Sequence, residues 1–304
     1  MTGSEIAAAG AVVKGAASAG KALQGGEKEQ ALILEAAKGS SGYVAAGVAR
    51  GDRLAAKQLA INKLLSPLFW FAGYRRDYFE SGQFAEDLAE KLDSVSEDDL
   101  TSPSPVVAAK AMEGLSYSLD EPDLKQMYLN LLGTASSRQR QGDAHPSFAE
   151  VIRQLSAQEA SLLPQFLQNL AGEPAVEVRA RNETGGFITL ERHVVEIKTV
   201  QTEQQVIIPN WPVFVDNWTR LGLVEADYTS HRAAEGAYDF IEHRAEYVRH
   251  RDRADLPEGF SVTFEKGLLR ATNFGLRFRE AVTSATTGTN NWQVLVDEGP
   301  APEA

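Results

Sequence analysis

Histidine changes charge close to neutral pH, so a lone histidine is the first residue to consider for general-base or metal chemistry. His145 stands in the stretch DAHPSFAEVIRQLSAQEASLL, residues 143–163. As a base it would serve a hydrolase or nuclease. The same residues also have a structural reading. Pro146 suits the first position of a helix, which puts His145 near the N-cap. Ser147 and Glu150 have capping-box spacing, in a frame that starts the helix a residue or two later. Phe148, Ile152 and Leu155 carry the apolar face. Ser156 and Glu159 repeat the capping-box spacing, so QLSAQE reads as a break between two helices. We take His145, Pro146, Ser147 and Phe148 as a capping block and assign no catalytic residue.

The remaining titratable groups make weaker patterns. His243 and His250 are seven apart, whereas metal-ligand pairs on a helix are usually three or four apart. His193, His231 and His243 are joined by nothing in the sequence itself. Glu86, Asp87, Glu90 and Asp93 share a helical face, read as solvated rather than as a metal cage. The chain has no GxxxxGK[ST], HExxH or GxSxG, the signatures of P-loop, zinc-protease and serine-hydrolase chemistry. It has no cysteine, which excludes disulfides, thiolate zinc sites and thiol nucleophiles and fits a reducing compartment. No cofactor or metal is expected.

The elements that would position these groups are mostly helical. Residues 1–26 are rich in alanine, with Gly10, Gly15 and Gly20 at regular spacing. Small residues so placed let another helix approach closely, which suits association; a poorly ordered terminus is the alternative. No basic region precedes an apolar core, so no secretory signal is expected. Residues 27–39 read as a short helix. In the next helix Leu54, Ile61, Leu64, Leu65 and Leu68 lie close to one face, and Pro67 kinks or restarts it. Phe69, Trp70, Phe71 and Tyr74 then cluster beside Arg75 and Arg76. That cluster, with Leu68, is either a core junction or a contact with a membrane surface or partner. Phe84, Leu88 and Leu92 step by four. Pro105 opens a helix, and Asp120 can cap the following one, where Leu124, Met127, Tyr128, Leu131, Leu132 and Ala135 make the strongest apolar face in the chain. The longest strongly apolar uncharged run, residues 64–74, is too short to span a bilayer, which takes about 20 residues as a helix.

Three blocks from this region carry a resemblance: PLFWFAGYRRDYFESGQFAEDLAEKL, SPSPVVAAKAMEGLSYSLDEPDLKQMYLNLLGTA and HPSFAEVIRQLSAQEASLL. Together they are similar to the abortive-infection alpha family, a bacterial domain of unknown function tied to phage resistance by its name. The similar part covers roughly residues 64–170. The family also tends to close with an RLGL segment and a T.FG..F segment, which read here as TRLGLVEADY and ATNFGLRFREAV. Residues 1–63 lie outside the resemblance, and residues 233–259 exceed the compact version of the family. The resemblance implies a defence context and carries no catalytic residue.

After Gly172 the period changes from helical to alternating. AVEVRA, GFITLERHVVEIKTV and QQVIIP read as a hairpin or a three-stranded element. WPVFVDNWTRLGLV reads as a helix and then a strand. Residues 233–253 read as one helix with Tyr238, Ile241, Ala245 and Val248 on a face, and GFSVTFEKGLLRAT as a hairpin turning at 265–267. Thr272 can cap a last helix. Helix, strand, hairpin and helix resemble a winged-helix arrangement, which would offer DNA a helix. Acids alternate with Arg244, Arg249, Arg251 and Arg253, and that balance disfavours phosphate contacts.

The sequence thus predicts an α+β, mainly α fold. It is divided as a small-residue helical head (1–63), a helical domain (64–172), a winged-helix-like α/β domain (173–284) and a disordered tail (285–304). The net charge is −12, which argues against general nucleic-acid binding. Residues 1–80 hold 10 basic and 7 acidic residues, leaving 20 basic and 35 acidic residues for 81–304, so a mildly basic head precedes an acidic body. The expected function is non-enzymatic: an abortive-infection effector or adaptor that binds a protein partner or a second copy of itself. A membrane surface is a further candidate partner. The expected location is cytoplasmic or peripheral to the inner membrane. A DNA-binding regulator is the alternative.

Overall fold

The computed structural model describes residues 41–65, 75–198, 205–251 and 255–283. Gly10, Gly15 and Gly20 lie outside the described residues, as do Leu68, Phe69, Trp70, Phe71 and Tyr74. The architecture is α+β and mainly α. In chain order come α1 (Ser41–Leu65), α2 (Arg76–Glu80), α3 (Gln83–Lys91), α4 (Pro105–Tyr117), α5 (Pro122–Ala135), α6 (Phe148–Arg153) and α7 (Ala157–Phe166). Strands β1 (Glu173–Asn182) and β2 (Phe187–Val195), helix α8 (Trp211–Arg220), β3 (Val224–Asp227), α9 (Ala245–Arg251), β4 (Phe260–Ala271) and α10 (Asn273–Val282) follow.

Helix α5 is the hub of the helical layer. Its apolar face continues almost all round, and α3, α4, α6, α7 and α10 all pack on it. Of the six face residues expected from spacing, Met127, Tyr128, Leu131, Leu132 and Ala135 are buried, while Leu124 packs at the margin. Pro122 occupies the first turn and Glu121 the N-cap; the Asp120 carboxylate instead stands 3.7 Å from Arg75. Helix α1 docks on α3 through Lys57. Its ammonium reaches the backbone carbonyls of Leu92 and, at 2.7 Å, Asp93, acceptors just past the end of α3, of which Leu92 also takes the Val95 N–H.

The four strands form an antiparallel sheet in the order β2-β1-β4-β3. Near the helices, one face supplies Ala175, Val195, Val224 and Leu269 to the core, against Trp211, Phe214, Val215 and Trp218 of α8. The same apolar cluster runs from Ile61 to Val282. On the other face Val176, Val178 and Val194 meet Tyr238, Phe240, Ile241 and Tyr247. Central β1 is therefore buried on both sides.

Three expectations are corrected. The hairpin expected at 265–267 is absent: β4 runs unbroken through Glu265, Lys266 and Gly267, each paired with β1. Gly267 serves close packing instead of a turn, since a Cβ there would stand 2.4 Å from the ring of Tyr228. Residues 233–253 are not one helix but a 3-10 turn, Asp239–His243, and then α9. Between them Arg244 is extended and buried, donating to the Val206 carbonyl at 3.0 Å. That break shifts the register, so Tyr247 is buried in place of Val248. Of QQVIIP, Gln205 makes only an isolated bridge with Lys198.

Candidate functional site

The loop that leaves α5 is fixed by Asp99. Its carboxylate accepts from the Ser137 hydroxyl at 2.7 Å and from the Gln139 amide at 3.1 Å, and its carbonyl accepts from Arg138 N–H at 2.8 Å. A 3-10 turn, Gln141–Asp143, and buried Ala144 then deliver His145 to the surface. Helix α6 starts at Phe148 with Ser147 as N-cap, so Pro146 sits in the preceding turn rather than at the first helical position. The Ser147 side chain makes no cap bond, and Glu150 turns to Lys110 and Arg153 at 3.3 and 2.7 Å. The end group is His145: its Nδ1 lies 2.7 Å from the Ser147 hydroxyl and accepts the Ser147 backbone N–H at 3.2 Å. In the neutral ring that arrangement leaves the proton on Nε2.

Opposite this loop stands the first turn of α10. Thr272 caps it, accepting from Gly275 N–H at 2.9 Å and donating to the Gly222 carbonyl. Gly275 lies so close to Leu223 that a Cβ would fall 2.1 Å from that carbonyl oxygen. Phe274 and Phe278 then meet Phe148 at 5.3 and 5.4 Å between ring centroids, and the His145 ring lies 6.1 Å from Phe274. The far end of α10 is held through its carbonyls: Arg140 donates to Glu280, Thr134 to Ala281 and Asn130 to Val282, at 2.6, 3.0 and 2.9 Å. The HPSF, RLGL and TNFGLRF segments, distant in sequence, thus form one junction.

The junction encloses a cleft of about 420 Å³. Phe148 and Phe274 form its floor, and Asp143, His145, Asn273 and Arg277 its rim, with Arg277 and Asp143 paired at 3.0 Å. A smaller hollow of about 280 Å³, lined by Ser104, Val107, Ala135 and Pro146 among others, shares the His145 wall. An apolar floor with a charge-balanced rim suits a side chain or small ring better than a free ion.

The other titratable candidates go elsewhere. Asp87 accepts from Tyr78 at 2.6 Å and pairs with Lys125 at 2.6 Å. His250 and Arg249 both bind Glu191, and the His231 ring faces Tyr238. His193 is buried and meets Asp216 and Tyr228, a grouping that no local spacing announces. Of the expected contact cluster, Arg75 lies 3.7 Å from Asp77, and Arg76 begins α2. Among the described residues no group of three His, Cys, Asp or Glu side chains could hold a metal ion, and no helix is long and apolar enough to cross a membrane.

Fold and cleft together define an α+β protein in which one core joins a helical layer to an antiparallel sheet and an open junction is built from three separated segments. The chain belongs to the abortive infection alpha family, whose model matches residues 76–282. The match extends past the helical blocks to take in the RLGL and TNFGLRF segments and the residues between them. No curated protein and no solved structure matches the chain.

Proposed function

We propose that this chain acts in abortive infection by binding, as an effector or adaptor that recognises another protein or a second copy of itself at the cleft beside His145. The observation that carries this reading is the open, aromatic-floored cleft lined by HPSF and TNFGLRF, with the RLGL segment packed against the first turn of α10. His145 has a structural task there, accepting the Ser147 amide, and among the described residues its nearby carboxylate, Asp143, is turned to Arg277. Membrane contact through residues 68–76 is a further part of the proposal. DNA recognition is the weaker alternative, because Arg244 and Arg249 are engaged by Glu246 and Glu191.

Phage plaque counts with two surface variants test the binding reading. His145→Asn keeps a side-chain acceptor for the Ser147 amide but removes the base, and protection is expected to persist. Arg277→Glu reverses charge on the rim at a side chain 65% exposed, and protection is expected to fall with the melting temperature little changed. The opposite pattern, protection lost in His145→Asn and kept in Arg277→Glu, would favour chemistry at His145 over docking.

A further inference from the structure

His193 is a buried side chain in an unusual backbone conformation. It is the one non-glycine residue with positive φ among the described residues, at φ +56, in the left-handed region that costs most residues about 1 kcal/mol or more. It is held there by three residues, two of α8 and one that follows β3. Its N–H donates to the Tyr228 hydroxyl at 3.1 Å, its Nδ1 lies 3.0 Å from the same oxygen, and its Nε2 lies 3.1 Å from Asp216 of α8. Its carbonyl accepts from Trp211 Nε1, at the start of α8, at 2.8 Å. Every polar atom of the residue is thus engaged.

The bond directions follow from the partners. A carboxylate only accepts, so Nε2 carries the proton and donates to Asp216. Nδ1 of the neutral ring is then an acceptor, and the Tyr228 hydroxyl donates to it while accepting the His193 N–H. The chain Tyr228→His193→Asp216 is complete only with a neutral imidazole. A second ring proton would point at an oxygen that already accepts a bond and would deprive the tyrosine proton of its acceptor. We propose that this chain is an acid-released latch: proton uptake by His193 keeps the bond to Asp216 but frees Tyr228, and with it the end of β3, from the end of β2.

The groups facing His193 set the sign. Burial favours its neutral form, and this outweighs Asp216 from α8; Arg192 beside it works with burial, and Glu177 from β1 against it. Tyr228 stays protonated, its hydroxyl pushed far up by burial. Because the folded state takes up the proton less readily than the unfolded one, the latch's contribution is complete above the ordinary histidine pKa of about 6.5 and is lost as pH falls below it. The latch is independent of the docking reading.

Amide hydrogen exchange of the full chain at about pH 7.5 and about pH 5.5, on either side of that value and corrected for intrinsic rates, tests it. In the wild type, exchange over 224–228 is expected to accelerate severalfold at the lower pH while 122–135 holds. Tyr228→Phe removes the donor and should exchange fast over 224–228 already at the higher pH. His193→Asn tolerates the left-handed backbone and keeps an acceptor for Tyr228, and it should flatten the pH response. Equal exchange of 224–228 at both pH values in the wild type overturns the latch. So does acceleration of α5 in step with 224–228, or a pH response retained by His193→Asn; if that variant does not fold, the wild-type and Tyr228→Phe results decide.

Discussion

Glu159 shows at the residue scale how a buried charge is tolerated. It is 5% exposed, yet it accepts from the Ser156 N–H and hydroxyl at 2.8 and 2.9 Å and from Asn217 at 2.8 Å. One carboxylate therefore closes the capping box of α7 and ties α7 to α8. Ser156→Ala is expected to cost about 0.5–2 kcal/mol, the usual value of an N-cap, and Asn217→Ala about 1–3 kcal/mol because a buried acceptor loses its donor. Urea unfolding of the two variants and their double mutant measures both costs, and a cycle that is simply additive would deny the shared carboxylate. Lys57→Met takes the side-chain donor from the Asp93 carbonyl and leaves Leu92 with the Val95 N–H alone, and a loss of about 1–3 kcal/mol is expected in the same measurement. At this scale the Ser156–Glu159 box was legible because capping is local and its spacing fixed. Asn217, Lys57 and the His193 chain were not, since their partners lie far off in sequence and no periodicity encodes them.

Elements were legible where a segment's own pattern decided its state. Pro105 at a helix start, the α5 stripe and the Thr272 cap are of this kind, as is the alternation in β1. Pattern misled where tertiary contacts assigned a residue another task. Glu265-Lys266-Gly267 reads as a turn, yet Gly267 is small because Tyr228 lies across it, and the strand continues. Residues 233–253 have helical spacing, yet Arg244 turns inward to the Val206 carbonyl and splits them. The junction beside the cleft was half legible: the three segments that form it were visible as separate blocks, but their meeting depends on Gly275 admitting the Leu223 carbonyl. Gly275→Ala places a methyl group 2.1 Å from that oxygen. Helix propensity favours alanine by about 1 kcal/mol, so a surface position would gain. Here overpacking should win, with a net loss of roughly 1–3 kcal/mol, read as a lower melting temperature. A stabilised variant would show that α10 can move away from the RLGL segment without penalty.

Over the whole molecule the decisive feature is that the helical layer and the sheet do not own separate cores. Phe278 of α10 meets Phe148 of α6, the same helix hangs by its carbonyls from Asn130, Thr134 and Arg140, and it follows directly on β4. Trp218 of α8 touches Phe166 of α7 at 5.6 Å while its helix covers the sheet. Two units with independent cores would unfold in two steps; units sharing these rings should unfold together. Phe278 is fully buried, so Phe278→Ala should cost about 3–5 kcal/mol through lost contacts and the cavity left behind. That loss should move far-UV circular dichroism, which follows the helices, and tryptophan emission, to which buried Trp211 and Trp218 contribute, by the same amount along the urea axis. If the emission transition shifts while the helical transition stays in place, the sheet region folds on its own and the cleft is an interface between two bodies. Coincident shifts mean that any partner seated on the cleft rim stabilises both layers at once, because mass action on the native state then acts on a single folding equilibrium.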